Sequence, residues 1–206
     1  MLSQSVASAL REAISAGEFQ PGERLSEVKA AERFNCSRNT LRESFTRLAA
    51  ERIVERIPNR GVFLAMPDAD YIRDLFAARA AIEPAAVRWG AFADAPSLVT
   101  LTSSAFDYAA RGEHQEVSAI NQRFHRTLVA ALGSLTLNEQ MDNLLARMRL
   151  TFLLAIPRYP QLHADHIQGN ITLATLIADG KRDEAATLTY DSLMNTCGKI
   201  LAVLED

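Results

Sequence analysis

The sequence is poor in the residues that bind metals or form disulfide bonds, with two cysteines and four histidines among 206 residues. Cys36 and Cys197 are far apart and belong to no metal-type spacing, so we expect two reduced thiols. No hydrophobic run approaches the roughly 20 residues of a membrane span, and the N-terminal residues lack a signal-peptide pattern. These absences predict a cytoplasmic protein with no membrane partner.

Motifs of common enzymes are also missing. The sequence contains no nucleophile motif, no phosphate-binding loop and no pair of carboxylates with a suitable spacing. A single histidine on an apolar helix face, such as His125, is more often a satisfied core residue than a general base. We therefore predict that the chain is not an enzyme. A helical metal-dependent enzyme, with His125 as general base or as the remnant of a metal centre, is the alternative.

The charges are divided unevenly along the chain. The formal net charge is −3, yet residues 1–66 contain 10 basic and 8 acidic residues, whereas residues 67–206 contain 12 and 17. Affinity for phosphate depends on local clusters of cations, so the acidic total does not exclude nucleic acid as a partner of the first segment. The length suits two small domains, which we predict to be residues 1–66 and 67–206.

The first segment combines helical periodicity with a short hairpin. Apolar residues at three- and four-residue steps predict a helix over 2–16, and Ser26 and Ser37 are placed to begin two further helices. The β-prone runs 53–57 and 62–64 are joined by a Pro-Asn-Arg-Gly turn. Three helices followed by a hairpin are typical of a winged helix-turn-helix.

The second segment, from about Asp68, has no strand pattern. Its helical patterns are interrupted by proline and glycine, and their short connections predict a six-helix antiparallel bundle, so that the whole fold is mainly α. Met66–Asp68 is the predicted linker. The six predicted helices span residues 68–93, 96–111, 114–132, 135–156, 160–179 and 182–204.

The helix that begins at Ser37 has the pattern of a DNA-reading helix. Its apolar stripe Leu41, Phe45 and Leu48 must face the domain core, which leaves the opposite face to solvent. Such a helix meets base edges with its N-terminal residues, and its N-terminus attracts phosphate. A solvated helix with scattered arginines is the alternative. The residues predicted on the exposed face or beside it are Arg38, Asn39, Arg42, Glu43 and Thr46.

Four stretches of the first segment resemble the DNA-binding domain of the GntR family in order, spacing and residue type. These stretches are PGERLSE at 21–27, SRNTLRE at 37–43, RLA at 47–49 and PNRGVF at 58–63. Cys36 and Asn39 stand where many relatives have valine and proline, which we expect to affect base preference and not the fold. The resemblance implies that the residues touching DNA are Ser37, Arg38, Asn39, Thr40, Arg42 and the wing residues Arg60 and Gly61.

The second segment resembles the FCD effector domain of the FadR-type branch of that family. The matching residues include Arg79 and Glu83 in the first bundle helix, Phe124-His125 in the third, and the LIADG run at 176–180. Many FCD domains bind a divalent metal with one aspartate and three histidines. The four corresponding positions here are Asn121, His125, Asn170 and Ser192, of which only His125 keeps the metal-binding type. We therefore expect no tightly bound metal and no other cofactor.

The same polar residues lie on apolar helix faces, and this pattern predicts a polar centre in the core independently of the resemblance. Asn121, His125, Asn170 and Ser192 are expected to point at the core, where each needs a hydrogen-bonding partner. They either bond one another and buried water, or line a polar ligand cavity. Arg79 also falls on an apolar stripe, and its partner is either Glu83 or the carboxylate of a ligand. Three further residues could contribute to such a site, namely Arg147, Arg149 and Tyr159.

These observations predict a transcriptional regulator, expected to be a repressor. A homodimer would place two reading helices on an inverted-repeat operator in double-stranded DNA. A small organic acid bound in the bundle, at Arg79, Asn121, His125, Asn170 and Ser192, would change operator affinity allosterically. The alternative is a metal-responsive regulator that uses His125 together with His166 or His163.

Overall fold

A computed structural model of the protein describes residues 2–205, apart from the side chains of Leu2, His163 and Ala164. By their contacts the residues form two compact units. The first extends to Asp68 and includes Leu145–Leu154, and the second comprises Ala69–Leu144 and the residues from Ala155 onward.

The first unit is a winged helix-turn-helix, as the sequence predicts. Its elements follow the order helix, short strand, two helices, two strands, and the sheet is antiparallel with β3 between β1 and β2. The core is built from fully buried side chains of α1, α3 and the residue before β2, which are Leu10, Ile14, Phe45, Leu48 and Ile53. The elements are α1 (Leu2–Ser15), β1 (Arg24–Leu25), α2 (Glu27–Arg33), α3 (Arg38–Ala50), β2 (Val54–Ile57) and β3 (Gly61–Leu64).

The strand β1 is an addition to the predicted two-stranded wing. Arg24 pairs with Phe63 and Leu25 pairs with Val62, and Leu25 is buried. The pairing extends to the residues before the strand, because the Leu64 N–H donates to the Glu23 carbonyl at 2.8 Å and the Gly22 N–H donates to the Leu64 carbonyl at 3.2 Å. Two residues are too few to show an alternating pattern in the sequence. The strand is therefore defined by its pairing with the edge of β3 and not by a local signal.

The second unit consists of helices, and the six predicted helices are confirmed with their boundaries within a few residues. One apolar cluster of this unit includes Val87, Phe124, Leu128, Leu173 and Ile177. None of the helices in the described range 2–205 is long and apolar enough to cross a membrane. The helices are α4 (Ala69–Trp89), α5 (Ala95–Ala110), α6 (His114–Ala130), α7 (Leu135–Ala155), α8 (Leu162–Ala178) and α9 (Arg182–Glu205).

Helix α7 differs from the other helices because it is buried on every side from Leu144 to Phe152. The segment Leu145–Leu154 groups with the first unit, whereas the predicted division at residues 66–67 assigns all of α7 to the second. The guanidinium of Arg149 lies directly against Gly17 and leaves no room for a Cβ at that position.

Candidate functional site

The N-terminus of α3 is held by the two hydroxyl residues that the sequence analysis singled out. Ser37 is the N-cap, and its hydroxyl oxygen accepts the backbone N–H of Thr40 at 3.1 Å. The hydroxyls of Ser37 and Thr40 also bond each other at 2.8 Å. A hydrogen-bonding partner for this backbone N–H of the first turn stabilises the start of the helix. The positive end of the helix dipole remains open to an anion.

The two faces of α3 have opposite character. Leu41, Ser44, Phe45 and Leu48 are buried. The hydroxyl of Ser44 donates to the carbonyls of Ser3 and Thr40, both at 2.8 Å, and so joins α3 to α1. The residues predicted on the opposite face, Arg38, Asn39, Arg42, Glu43 and Thr46, are all exposed.

The two arginines of this face have different surroundings. Arg42 forms an ion pair with Glu27 of α2, with Nε at 3.1 and 3.2 Å from the two carboxylate oxygens and Nη2 at 3.0 Å. The hydrogen bond and the charge of Glu27 raise the pKa of Arg42 above its usual value. Arg38 makes no ion pair or side-chain hydrogen bond with any residue in the described part of the chain. Sequence reasoning did not identify Glu27, because the pair joins residues on separate helices.

The wing presents further cations beside α3. Asn59 and Gly61 have positive φ angles of 61° and 114°, so the tip needs the Asn-x-Gly sequence that it has. The guanidinium of Arg60 stacks 5.6 Å from the ring centroid of Phe63. Arg24 approaches the same tip, because a Cβ built on Gly61 would lie 3.4 Å from its Nε. Arg24 was not predicted, since its place follows from the unpredicted strand β1.

Arg56 connects the wing to α3. Its Nη1 donates to the hydroxyl of Thr46 at 3.0 Å. The exposed end of the first unit therefore combines a capped helix N-terminus with arginines from α3 and from the sheet. Arginines so placed can reach guanine edges and phosphates of a DNA duplex.

The centre of the second unit contains a buried ionic cluster. Glu83 is fully buried and bonds two partners, Arg79 Nε at 2.6 Å and His125 Nδ1 at 2.6 Å. Burial by itself raises the pKa of Glu83, but the charges of Arg79 and His125 and their hydrogen bonds outweigh it and lower the pKa to about 2. Glu83 is therefore ionised, and the internal partner that the sequence offered for Arg79 is the one it contacts.

Asn121 and Asn170 form a second polar contact nearby. Asn170 Nδ2 donates to Asn121 Oδ1 at 2.7 Å, which joins α8 to α6. These two amides, with Thr102 and His166, line a cavity of about 10 Å³. A cavity of this size has room for about one water molecule.

Ser192 does not join this cluster, although the family spacing predicts that it should. Its side chain is exposed and lines an open groove of about 430 Å³ with His166 and Lys199. The buried stripe of α9 runs through Thr189, Leu193 and Thr196, and Ser192 lies to the side of it. A small error in helical phase thus moves the residue from the core to the surface.

Two of the three further candidates belong to the first unit. Arg147 and Arg149 are buried in the segment of α7 that belongs to the first unit, and burial lowers the pKa of Arg149. Tyr159 donates its hydroxyl to Asp165, which also pairs with Lys199 at 2.8 Å. This exposed group borders the groove that contains Ser192.

The donors at the four metal positions do not fit a tightly held transition metal. His125 gives one imidazole, whose Nδ1 is bonded to Glu83, while Asn121 and Asn170 give neutral amides and Ser192 lies elsewhere. Among the residues whose side chains are described, no group of three or more His, Cys, Asp or Glu could hold a metal ion. The side chain of His163, named in the metal-responsive alternative, lies outside the described residues.

Comparisons with known proteins agree with both units. The model of bacterial regulatory proteins of the gntR family matches residues 2–64, and the FCD domain model matches residues 74–194. The Nta operon transcriptional regulator of Aminobacter aminovorans is 27% identical over 189 residues, covering 90% of this chain and 88% of that protein. The HTH-type transcriptional repressor GlaR of Escherichia coli is 29% identical over 189 residues and covers 84% of each chain.

Solved structures give the same result. A putative transcriptional regulator GntR from Rhodococcus sp. RHA1 aligns with a TM-score of 0.83 and 29% identity, covering 97% of both chains. McbR/YncC of E. coli aligns with a TM-score of 0.80 at 19% identity, over 100% of this chain and 99% of that one, which shows a shared fold.

The winged helix-turn-helix and the helical unit together define a DNA-binding transcriptional regulator and not an enzyme. The chain belongs to the GntR family of bacterial regulatory proteins and has an FCD domain as its second part.

Proposed function

We propose that this regulator is a cytoplasmic repressor that binds an inverted-repeat operator as a homodimer and responds to a small organic acid. The observation that carries the proposal is the coexistence of an arginine-bearing reading face with a buried polar centre in a separate unit. The proposed DNA contacts are Ser37, Arg38, Asn39, Thr40, Arg42, Arg60 and Gly61. The E. coli relative GlaR, named as a repressor, supports the sign of the regulation.

The polar centre formed by Arg79, Glu83, His125, Asn121 and Asn170 is the proposed effector site. Arg79, His125 and the two amides are groups that bind a carboxylate and its polar substituents. Arg79 and His125 are bonded to the ionised Glu83, so an acid would have to replace Glu83 at one of them. The cavity of about 10 Å³ beside Asn121 has room for about one water molecule and not for such an acid. Binding therefore requires the surrounding helices to separate, and a ligand that binds only the separated state shifts the protein toward that state.

A second copy of the chain is the proposed cover of the exposed aromatic face on α4 and α9. Trp89 is 75% exposed and Tyr190 is 49% exposed, and both border a groove of about 360 Å³. Exposed aromatic side chains beside a groove are typical of interfaces between protein molecules. Native mass spectrometry of the purified protein should give twice the chain mass, and Trp89→Ala should shift this equilibrium toward the monomer.

The effector proposal is tested by titrating mono- and dicarboxylic acids of two to six carbons into a complex with fluorescent operator DNA. At least one acid should change the fluorescence anisotropy of wild-type protein, and Asn170→Ala should weaken that response about tenfold or more. Ser192→Ala is the matched control and should keep the response. A response lost in Ser192→Ala but kept in Asn170→Ala would move the site to the open groove.

A further inference from the structure

Glu27 holds the guanidinium of Arg42 from one side. In the described part of the chain, the side-chain hydrogen bonds and the ion pair of Glu27 are to Nε and Nη2 of Arg42, at 3.0 to 3.2 Å. Both atoms lie on one edge of the planar guanidinium, so the end that carries the two Nη groups stays open. The side chain of Arg42 is 57% exposed, and that of Glu27 is 33% exposed. The arginine is thus oriented by its partner while it remains accessible to DNA.

The pair responds differently to phosphates and to bases. A phosphate is attracted by Arg42 and repelled by Glu27, so the pair as a whole attracts it weakly. Guanine presents two neutral acceptors, O6 and N7, which require two donors in a fixed arrangement more than a net charge. An arginine kept beside a carboxylate therefore loses more of its attraction for phosphate than of its ability to read a base.

We propose that Glu27 is a specificity-determining residue, which keeps Arg42 directed at a base edge and prevents it from acting as a general phosphate contact. Arg38 provides the contrast on the same helix face, because it has no ionic partner among the described residues and can follow the phosphate backbone. The reading face then has one oriented and one unrestrained arginine. This inference rests on the assignment of α3 to DNA recognition.

The test compares Glu27→Gln with wild type on operator DNA and on a random duplex, over a range of salt concentrations. Glu27→Gln should bind the random duplex more tightly and lower the ratio of operator to random affinity about tenfold, within the range expected for one arginine–guanine contact. Arg42 is then free to contact one more phosphate. The slope of log affinity against log salt on the random duplex should therefore steepen by about 0.9.

Glu32→Gln is the matched control, because Glu32 is an exposed acid on the same helix with no ion pair in the described part of the chain. It removes the same charge and should leave the affinity ratio within about twofold of wild type. In an Arg42→Ala background, Glu27→Gln should change the affinity ratio no more than Glu32→Gln does.

Two results would overturn the inference. One is an equal change of the affinity ratio in Glu27→Gln and Glu32→Gln, which would mean that Glu27 acts only through its negative charge. The other is an unchanged ratio in Glu27→Gln while wild type prefers its operator. A wild type with no preference for operator over random DNA would instead contradict the proposed operator binding itself.

Discussion

Removing the charge of Glu83 should destabilise the second unit strongly. Glu83→Gln keeps the size of the side chain but leaves the buried guanidinium of Arg79, which is 2% exposed, without its ionic partner at 2.6 Å. Breaking a buried ion pair from one side costs about 3–5 kcal/mol. The pKa of Glu83 gives a second estimate of the loss of unfolding free energy. The fall from the ordinary 4.5 to about 2 corresponds to about 3 kcal/mol in favour of the ionised folded state.

The pH dependence follows from the same pKa. Because the folded pKa lies below the unfolded one, the stabilisation by Glu83 is complete above about 4.5 and disappears as the pH falls toward about 2. Glutamine resembles the protonated acid. The difference in unfolding free energy between wild type and Glu83→Gln should therefore be largest above pH 5 and should shrink through the range from about 4.5 to about 2.

Urea unfolding followed by circular dichroism and by the fluorescence of Trp89, the single tryptophan, measures this difference. Glu139→Gln, at an exposed acid of the same unit, is the control and should change the stability by less than about 0.5 kcal/mol. The double variant Arg79→Met/Glu83→Met removes both charges together and should be more stable than Glu83→Gln. A loss below about 1 kcal/mol in Glu83→Gln at pH 7 would refute the reasoning.

Three further predictions concern the first unit. Arg38→Ala/Arg42→Ala should lower operator affinity about 100-fold or more without changing the circular dichroism spectrum, and unchanged affinity would contradict the assignment of α3. Ser37→Ala removes the acceptor of the Thr40 N–H and should cost about 1 kcal/mol in urea unfolding, so an unshifted midpoint would show that the cap is dispensable. Gly61→Ala, at a φ of 114°, should strain the wing by about 1 kcal/mol or more and weaken DNA binding in the anisotropy assay. The control for Gly61→Ala is Gly112→Ala, at a φ of 73° in the second unit, which should lower stability but leave DNA affinity unchanged.

The sequence alone was sufficient for the order and type of the principal elements. The informative signals are local ones, namely helical periodicity, the N-cap residues Ser26 and Ser37, and the Pro-Asn-Arg-Gly turn. Local signals can be read from the sequence without knowledge of the tertiary fold. The exposed face of α3 follows from the same periodicity, because its buried stripe fixes the opposite side. The two-residue strand β1 carries too little pattern, and its existence depends on the neighbouring edge of β3.

Only the tertiary structure decided which side chains meet. Glu27 and Arg42 are 15 residues apart, and His125 and Glu83 are 42 apart, so no spacing rule predicts either contact. Ser192 was expected to point at the core and is exposed, since counting along α9 does not fix the rotation of the helix against its neighbours. Periodicity defines which face of a helix is apolar, but the partner of each polar group on that face depends on packing between helices distant in sequence.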